Sequence, residues 1–401
     1  MTLSWLAFPC LVLCGVWFLG NGDSAATVGY RLADTTQAAS SMVLIGPILA
    51  GLASVAGDRW AAGGWPLQPW SRLTARVAAG ALWPFPAVAG LALLVVGLIA
   101  VPGAQADARV MGSAWALVSG LAILGFGVGT RLPAAWAAPA MIVTAYLFFA
   151  LPLIMEPLWL RQITGMWSGC CAVDQDLDPR ASAAVLAVAL ALATAGLLLG
   201  FTRQSVVATA AMAATGLVVG AALVAKSGPD PAVPRDVRVL VCADRLCLWP
   251  EHDSARGRAQ VAVAAVDRAG KELSLRVPAT YSEAEPARYG GLVADPRASH
   301  PMLLLSSTSA LLPGYSPECA AHLESTGAQA YPYEVLAVAR GVLATRAGLP
   351  PSDLAELGYD QGSVVAVEQL AVHPTISRWL GQVQSDIAQC QPHDLPLAPA
   401  Q

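Results

Sequence analysis

Residues 182–201, SAAVLAVALALATAGLLLGF, and residues 205–225, SVVATAAMAATGLVVGAALVA, decide the fold. Neither contains Asp, Glu, Lys, Arg or His. A helix rising about 1.5 Å per residue crosses roughly 30 Å of hydrocarbon in about 20 residues, so each stretch is long and apolar enough to span a membrane. Only a few residues from Thr202 separate them, which predicts a tight helical hairpin. Both are rich in Ala and Gly, and small residues let helices approach closely in lipid, where packing replaces the hydrophobic effect. Gly216 and Gly220 form a G-x-x-x-G, a spacing that so Ala- and Gly-rich a chain reaches by chance.

Working outward, five further stretches share this character: 4–20, 38–57, 78–101, 113–129 and 137–155. Soluble buried helices do not stay free of charge so long and so often. Ten of the 12 tryptophans lie in residues 1–226, several near predicted span ends (Trp5, Trp60, Trp83, Trp136, Trp159), as an interfacial aromatic belt requires. The first stretch is read as a span, not a signal peptide. No Lys or Arg precedes Arg31, no Ala-x-Ala closes the apolar run, and Leu13 is too bulky for a lipoprotein site before Cys14. Cys10 and Cys14 are read as packing residues.

The chain is 56% hydrophobic and 12% charged, about half the charge of a typical soluble protein. Residues 1–226 hold 10 Lys/Arg and 8 Asp/Glu; residues 227–401 hold 13 and 19. The expected organisation is an all-α polytopic bundle of about seven transmembrane helices over 1–226, a Pro-rich linker over 227–235, an α+β soluble domain over 236–391 and a disordered tail over 392–401. The linker, with Pro229, Pro231 and Pro234, is expected to be a stiff extended spacer. Neither part has the basic excess that a nucleic-acid partner requires; the bilayer is the expected partner.

In the soluble part, 237–248 reads as a hairpin with Cys242 opposite Cys247. Helices are expected over 256–275, 333–347, 352–357 and 374–390, and a short strand over 302–306. In the last helix Ile376, Leu380, Val383 and Ile387 make one apolar face. The even number of cysteines there suits two disulfides, Cys242–Cys247 and Cys319–Cys390, which persist only outside the cytosol; four free buried thiols is the other reading. Cys170 and Cys171 sit beside Asp174, Asp176 and Asp178, with a bridge to other partners, a metal or no partner all open.

Searches for catalytic motifs fail. There is no P-loop, no G-x-S-x-G, no H-E-x-x-H and no zinc spacing. The chain is therefore expected to be no enzyme and to hold no cofactor or metal. Glu251-His252-Asp253 clusters three polar groups able to bind a cation or move a proton, although a solvated loop is the plainer reading. Glu368 stands in the apolar frame of a zinc-protease helix, but Val367 and Ala371 occupy the ligand positions, which leaves a decayed or ordinary helix. Ion-coupled transporters keep charges at membrane depth; the seven stretches hold none.

The layout resembles the membrane subunits of type 2 ABC exporters, especially divergent permease-like proteins of actinobacteria. The residues that carry this are the loop 58–77, with Arg59, Arg72 and Arg76 around Gly-Gly-Trp65-Pro-Leu-Gln-Pro-Trp70, and the strings Val241-Cys-(x)4-Cys-Leu-Trp-Pro-Glu-His and Trp379-Leu-(x)9-Cys. The resemblance implies an export or self-resistance subunit in the cytoplasmic membrane, energised by a separate ATPase. That ATPase would dock on 58–77 through Arg59, Trp65, Trp70, Arg72 and Arg76, and the subunit would pair into a homo- or hetero-dimer. A seventh span and a C-terminal domain depart from the standard exporter. The alternative is a non-transporting anchor whose outer domain binds a ligand or partner.

With the N-terminus inside, the inside loops hold Arg59, Arg72, Arg76, Arg131 and Arg203 at roughly twice the basic density of the outside loops, as the positive-inside rule demands. The soluble domain is thus expected outside. A periplasm-active phosphatase fused after Gln401 should be active and a cytoplasm-active reporter silent; the reverse pattern would reject the seven-span topology.

Overall fold

The computed structural model describes residues 8–13, 15–16, 30–64, 72–100, 106–167, 170–201, 206–225, 231–284, 292–316, 318–319, 322–323 and 333–391. The chain divides into two compact units, Met1–Pro234 and Arg235–Gln401.

In the first unit, six helices are long and apolar enough to cross a membrane: Arg31–Ala62, Arg76–Ile99, Ala108–Gly129, Ala134–Ile154, Pro179–Phe201 and Val207–Val224. They coincide with six of the seven predicted spans. The remaining stretch, 4–20, is described only at 8–13 and 15–16, where it is helical. Leu11 is fully buried in the bundle core there, and a Cβ on Gly15 would meet Val96 Cγ2 at 2.7 Å.

The first rod comprises α1 (Arg31–Ala39) and α2 (Met42–Ala62), joined through Ser40 and Ser41. Residues 31–37, expected in a loop, are therefore helical. Thr35 and Ser40 donate their hydroxyls to carbonyls four residues back, at 2.5 and 3.0 Å, and Thr36 and Ser41 to carbonyls three back, at 2.8 and 2.7 Å. Hydroxyls satisfied inside their own helix cost little when buried, which is why a polar run continues an apolar span. After α3 (Arg72–Leu82) and α4 (Pro84–Ala100) comes α5 (Ala108–Gly129), which starts five residues before the predicted span. Asp107 caps it, accepting from the amides of Arg109 and Val110 at 2.9 and 3.4 Å. The remaining helices are α6 (Ala134–Ile154), α7 (Pro179–Phe201) and α8 (Val206–Val224).

Helix α5 packs between α2 and α7 at backbone distance. A Cβ on Gly125 or Gly129 would stand 2.2 or 1.9 Å from the carbonyl oxygens of Ala50 and Ser54 on α2. On the opposite face, a Cβ on Gly127 would stand 2.3 Å from the carbonyl oxygen of Gly196 on α7. The Gly216–Gly220 pair also lies at an interface: their Cβ positions fall 2.1 Å from Ala191 and 2.9 Å from Val188, both on α7.

Of the linker, residues 231–235 are described, and 232–234 are a paired strand. Strand β2 (Ala232–Pro234) pairs antiparallel with β1 (Gln175–Leu177), with Asp176 opposite Val233. Residues 227–230 lie outside the described residues.

In the second unit β3 (Val241–Ala243) and β4 (Leu246–Leu248) form the expected hairpin, with Cys242 paired to Cys247; Asp244 supplies the positive φ of its turn. Strand β5 (Tyr281–Ser282) adds in parallel to β4. Helix α9 (Arg256–Glu272) shares its core with α10 (His300–Thr308), α11 (Tyr333–Arg346), α12 (Pro351–Glu356), α13 (Gln361–Ala371) and α14 (Ile376–Ala388). The predicted strand at 302–306 is inside α10, a correction. Ser299 caps that helix by accepting from the amide of Met302, Pro301 fits its first turn, and Leu303, Leu304, Ser307 and Thr308 share a buried helical face.

Gly129→Val should lower the stability of the detergent-purified protein by at least 1–3 kcal/mol, the usual cost of forced overpacking. Gly80→Ala, where a Cβ meets nothing within 4 Å, should leave the thermal melt unchanged or slightly raised. Equal melts for the two variants would contradict the α2–α5 packing.

Candidate functional site

The loop 58–77 is partly outside the described residues, and Trp65 and Trp70 fall there. Arg59 is exposed near the end of α2, and Arg72 opens α3, although its side chain is outside the description. Arg76 is exposed on α3.

At the same end of the bundle the interior is closed by aromatics. The Trp60 ring meets those of Phe126 and Phe201 at 6.1 and 5.8 Å, and Phe126 stacks on Phe201 at 6.0 Å. Arg131 Nε donates to the Leu199 carbonyl at 3.0 Å, setting a cation on the C-terminal turn of α7, where the helix dipole favours it.

The opposite end is closed by charge. The Asp107 side chain is 5% exposed and takes Arg31 at 3.5 Å and Arg109 at 3.3 Å; Arg109 also reaches Asp176 at 2.8 Å. Burial pushes the Asp107 pKa up, but the hydrogen bond and charge of Arg109, with the amides of Arg109 and Val110, outweigh it and hold the carboxyl below its ordinary value. Thr35 accepts from the Asp107 amide at 2.9 Å, Thr36 donates to the Cys170 carbonyl at 2.9 Å, and Tyr30 donates to the Gln175 carbonyl at 2.6 Å. The network thus ties α1, α5 and β1 together. Cys170 and Cys171 bridge each other and are buried there. Cys10 is an exposed free thiol; Cys14 lies outside the described residues.

In the second unit the structure joins Cys242 to Cys247 and Cys319 to Cys390, with S–S distances of 2.02 and 2.06 Å. The three polar groups of the 251–253 string take three different partners. Glu251 binds Arg235 through both oxygens at 2.9 and 3.1 Å, and that guanidinium lies 4.6 Å from the centroid of the buried Trp249 ring. Asp253 takes Arg256 at 2.7 Å. His252 turns inward, its Nδ1 2.7 Å from Glu283 Oε1. These groups do not converge on a cation, and among the described residues no three His, Cys, Asp or Glu side chains could hold a metal.

Glu283 is the residue that sequence reasoning missed. Its side chain is 1% exposed and accepts from the amides of Trp249 and Ala294 at 2.8 and 2.7 Å as well as from His252. An acceptor so placed requires the proton on Nδ1 of the imidazole. Nothing local marks Glu283 in the sequence, because its partners lie 31 and 34 residues before it and 11 after it. A second cluster does similar work: Asp267 receives Arg245 and the Tyr281 hydroxyl, each at 2.5 Å, joining α9 to β5 and the hairpin turn. Burial and the Asp267 carboxylate push the Tyr281 pKa well up. Glu368 is exposed on α13, while Val367 and Ala371 are buried core residues, so this is an ordinary amphipathic helix.

The chain shows no match to any protein-family model, to curated proteins or to solved structures.

Glu283→Ala would leave three buried donors without an acceptor. Breaking a buried pair in this way costs about 3–5 kcal/mol, so the second unit should unfold at markedly lower denaturant in the full-length protein. His252→Ala should cost less, since Glu283 keeps two amides. A Glu283→Ala midpoint equal to wild type would show that the network carries no stability.

Proposed function

We propose that the chain is a multi-pass permease-like subunit of an ABC-type export or self-resistance system, with its energy supplied by a separate ATPase. The observation that carries this reading is the basic connection between the spans ending at Ala62 and starting at Arg76, at the aromatic end of the bundle. It is preceded by Arg59, and α3, which runs on into the following span, opens with Arg72 and bears an exposed Arg76. With residues 4–20 counted as a seventh span, this end is cytoplasmic and the second unit extracytoplasmic. The spans carry no charge at mid-membrane and the sequence has no P-loop, so an energy source must come from outside the chain.

Closure of the bundle by aromatics at one end and ion pairs at the other supports a cargo path on its outer face or between two copies, not through its axis. The same closure, with backbone-level packing of α2, α5 and α7, favours a second reading in which the helices anchor an outer binding domain and move nothing.

Co-purification with a genetically linked ATPase separates the two. Wild type should retain the ATPase, whereas Trp65→Ala with Trp70→Ala, or Arg72→Glu with Arg76→Glu, should reduce recovery at least about tenfold, as loss of interface anchors does. Undiminished recovery by correctly inserted variants would reject the docking loop, and absence of any ATPase partner would leave the anchored domain as the better account.

A further inference from the structure

An apolar groove of about 460 Å³ runs between α4 and α5, with Gly90, Gly97 and Leu98 on one side and Ala108, Gly112 and Trp115 on the other. Its depth comes from side chains that are missing. A Cβ on Gly112 would meet nothing within 4 Å, and one on Gly97 only the tip of Met111, at 3.3 Å. Leu94 and Leu98 at its rim are 52% and 63% exposed. Both helices are long and apolar enough to span a membrane, so hydrocarbon is what meets this face. From Gly90 to Leu98 the groove is about 12 Å long, close to the roughly 15 Å depth of one leaflet.

The groove ends at the ion-pair network. Ala106 and Ala108 line that end and flank Asp107. Around it Arg31 and Arg109 are 50% and 47% exposed, and Asp176 is 40% exposed. Two guanidiniums and two carboxylates make a formally neutral patch of mixed sign. A purely anionic headgroup would meet the carboxylates as well as the arginines. A zwitterionic headgroup can give its phosphate to a guanidinium and its ammonium to Asp176.

We propose that this groove holds one acyl chain of a resident zwitterionic aminophospholipid, whose headgroup spans Arg109 and Asp176. The site lies within the first unit and does not rest on the transport reading. The test is native mass spectrometry of the full-length protein in detergent, equilibrated with equal amounts of phosphatidylethanolamine and phosphatidylglycerol. Wild type should retain one phosphatidylethanolamine with about tenfold preference. Gly112→Leu, whose Cβ would meet nothing within 4 Å, should lose about tenfold of bound lipid at an unchanged thermal melt; Gly112→Met serves if the leucine variant fails to fold. Asp176→Asn should keep the lipid and lose the headgroup preference. Wild-type levels of lipid on the filled variants, or none on the wild type, would overturn the groove assignment. Phosphatidylglycerol bound as well as phosphatidylethanolamine would overturn the headgroup pairing.

Discussion

The approach of α5 to α2 and α7 at backbone distance is the constraint on which the first unit depends. In hydrocarbon, apolar side chains gain nothing by leaving lipid for protein, so helices associate through van der Waals packing, interhelical hydrogen bonds and lipid entropy. Packing is closest where no side chain intervenes. Gly125 and Gly129 take the carbonyls of Ala50 and Ser54 on one face, and Gly127 takes Gly196 on the other. The lipid-facing leucines and valines are free to vary around this seam, because their neighbours are fluid chains; the glycines are not.

Much of the polar content of the bundle lies at its ends or in helices that satisfy it internally. The hydroxyls of Thr35, Thr36, Ser40 and Ser41 all return to carbonyls of their own turn. Asp107, 5% exposed, sits at a helix start with amides and two arginines around it. The second unit solves a different problem. It has a single apolar core cluster, and buried polar groups fix its register. Glu283 binds the chain at Trp249, His252 and Ala294, and Asp267 joins α9 to Tyr281 and Arg245. Glu251, His252 and Asp253 are each drawn into a separate contact, so among the described residues this string does not converge on one site.

Legibility followed the range of the interaction. Spans were readable because composition over twenty residues states the solvent directly, and the hairpin and α14 were readable because their periods of two and of three to four are local. Residues 31–37 misled because Arg31, Asp34, Thr35 and Thr36 are polar by composition, and only helix geometry shows the threonine hydroxyls to be internally bonded. The stretch 302–306 misled because a short apolar run fits strand and helix alike; the cap at Ser299 and the following Pro301 were the signals that should have decided it. Pro234 was readable as extended chain, but its pairing with β1 depends on residues more than fifty positions earlier. Glu283 and the Arg109–Asp176 pair were invisible for the same reason: a carboxylate carries no local mark of a partner set by the fold.

The two ends of the first unit's bundle are closed in different ways. Separating α1 from α5 at the charged end would take from Asp107 only Arg31, at 3.5 Å, and the Thr35 contact to its amide, because Arg109 and the two capping amides belong to α5 itself. Arg31 is half exposed, so solvent screening holds that loss to about 0–1 kcal/mol. At the other end, parting Trp60, Phe126 and Phe201 forfeits aromatic contacts of about 0.5–1.5 kcal/mol each beyond area, and lipid can replace much of the lost surface. The charged end is also joined to β1, and through it to β2. The two losses are of similar size, so what distinguishes the ends is their chemistry: aromatic contact around Trp60 at one, and ion pairs running from Asp107 through Arg109 to Asp176 at the other.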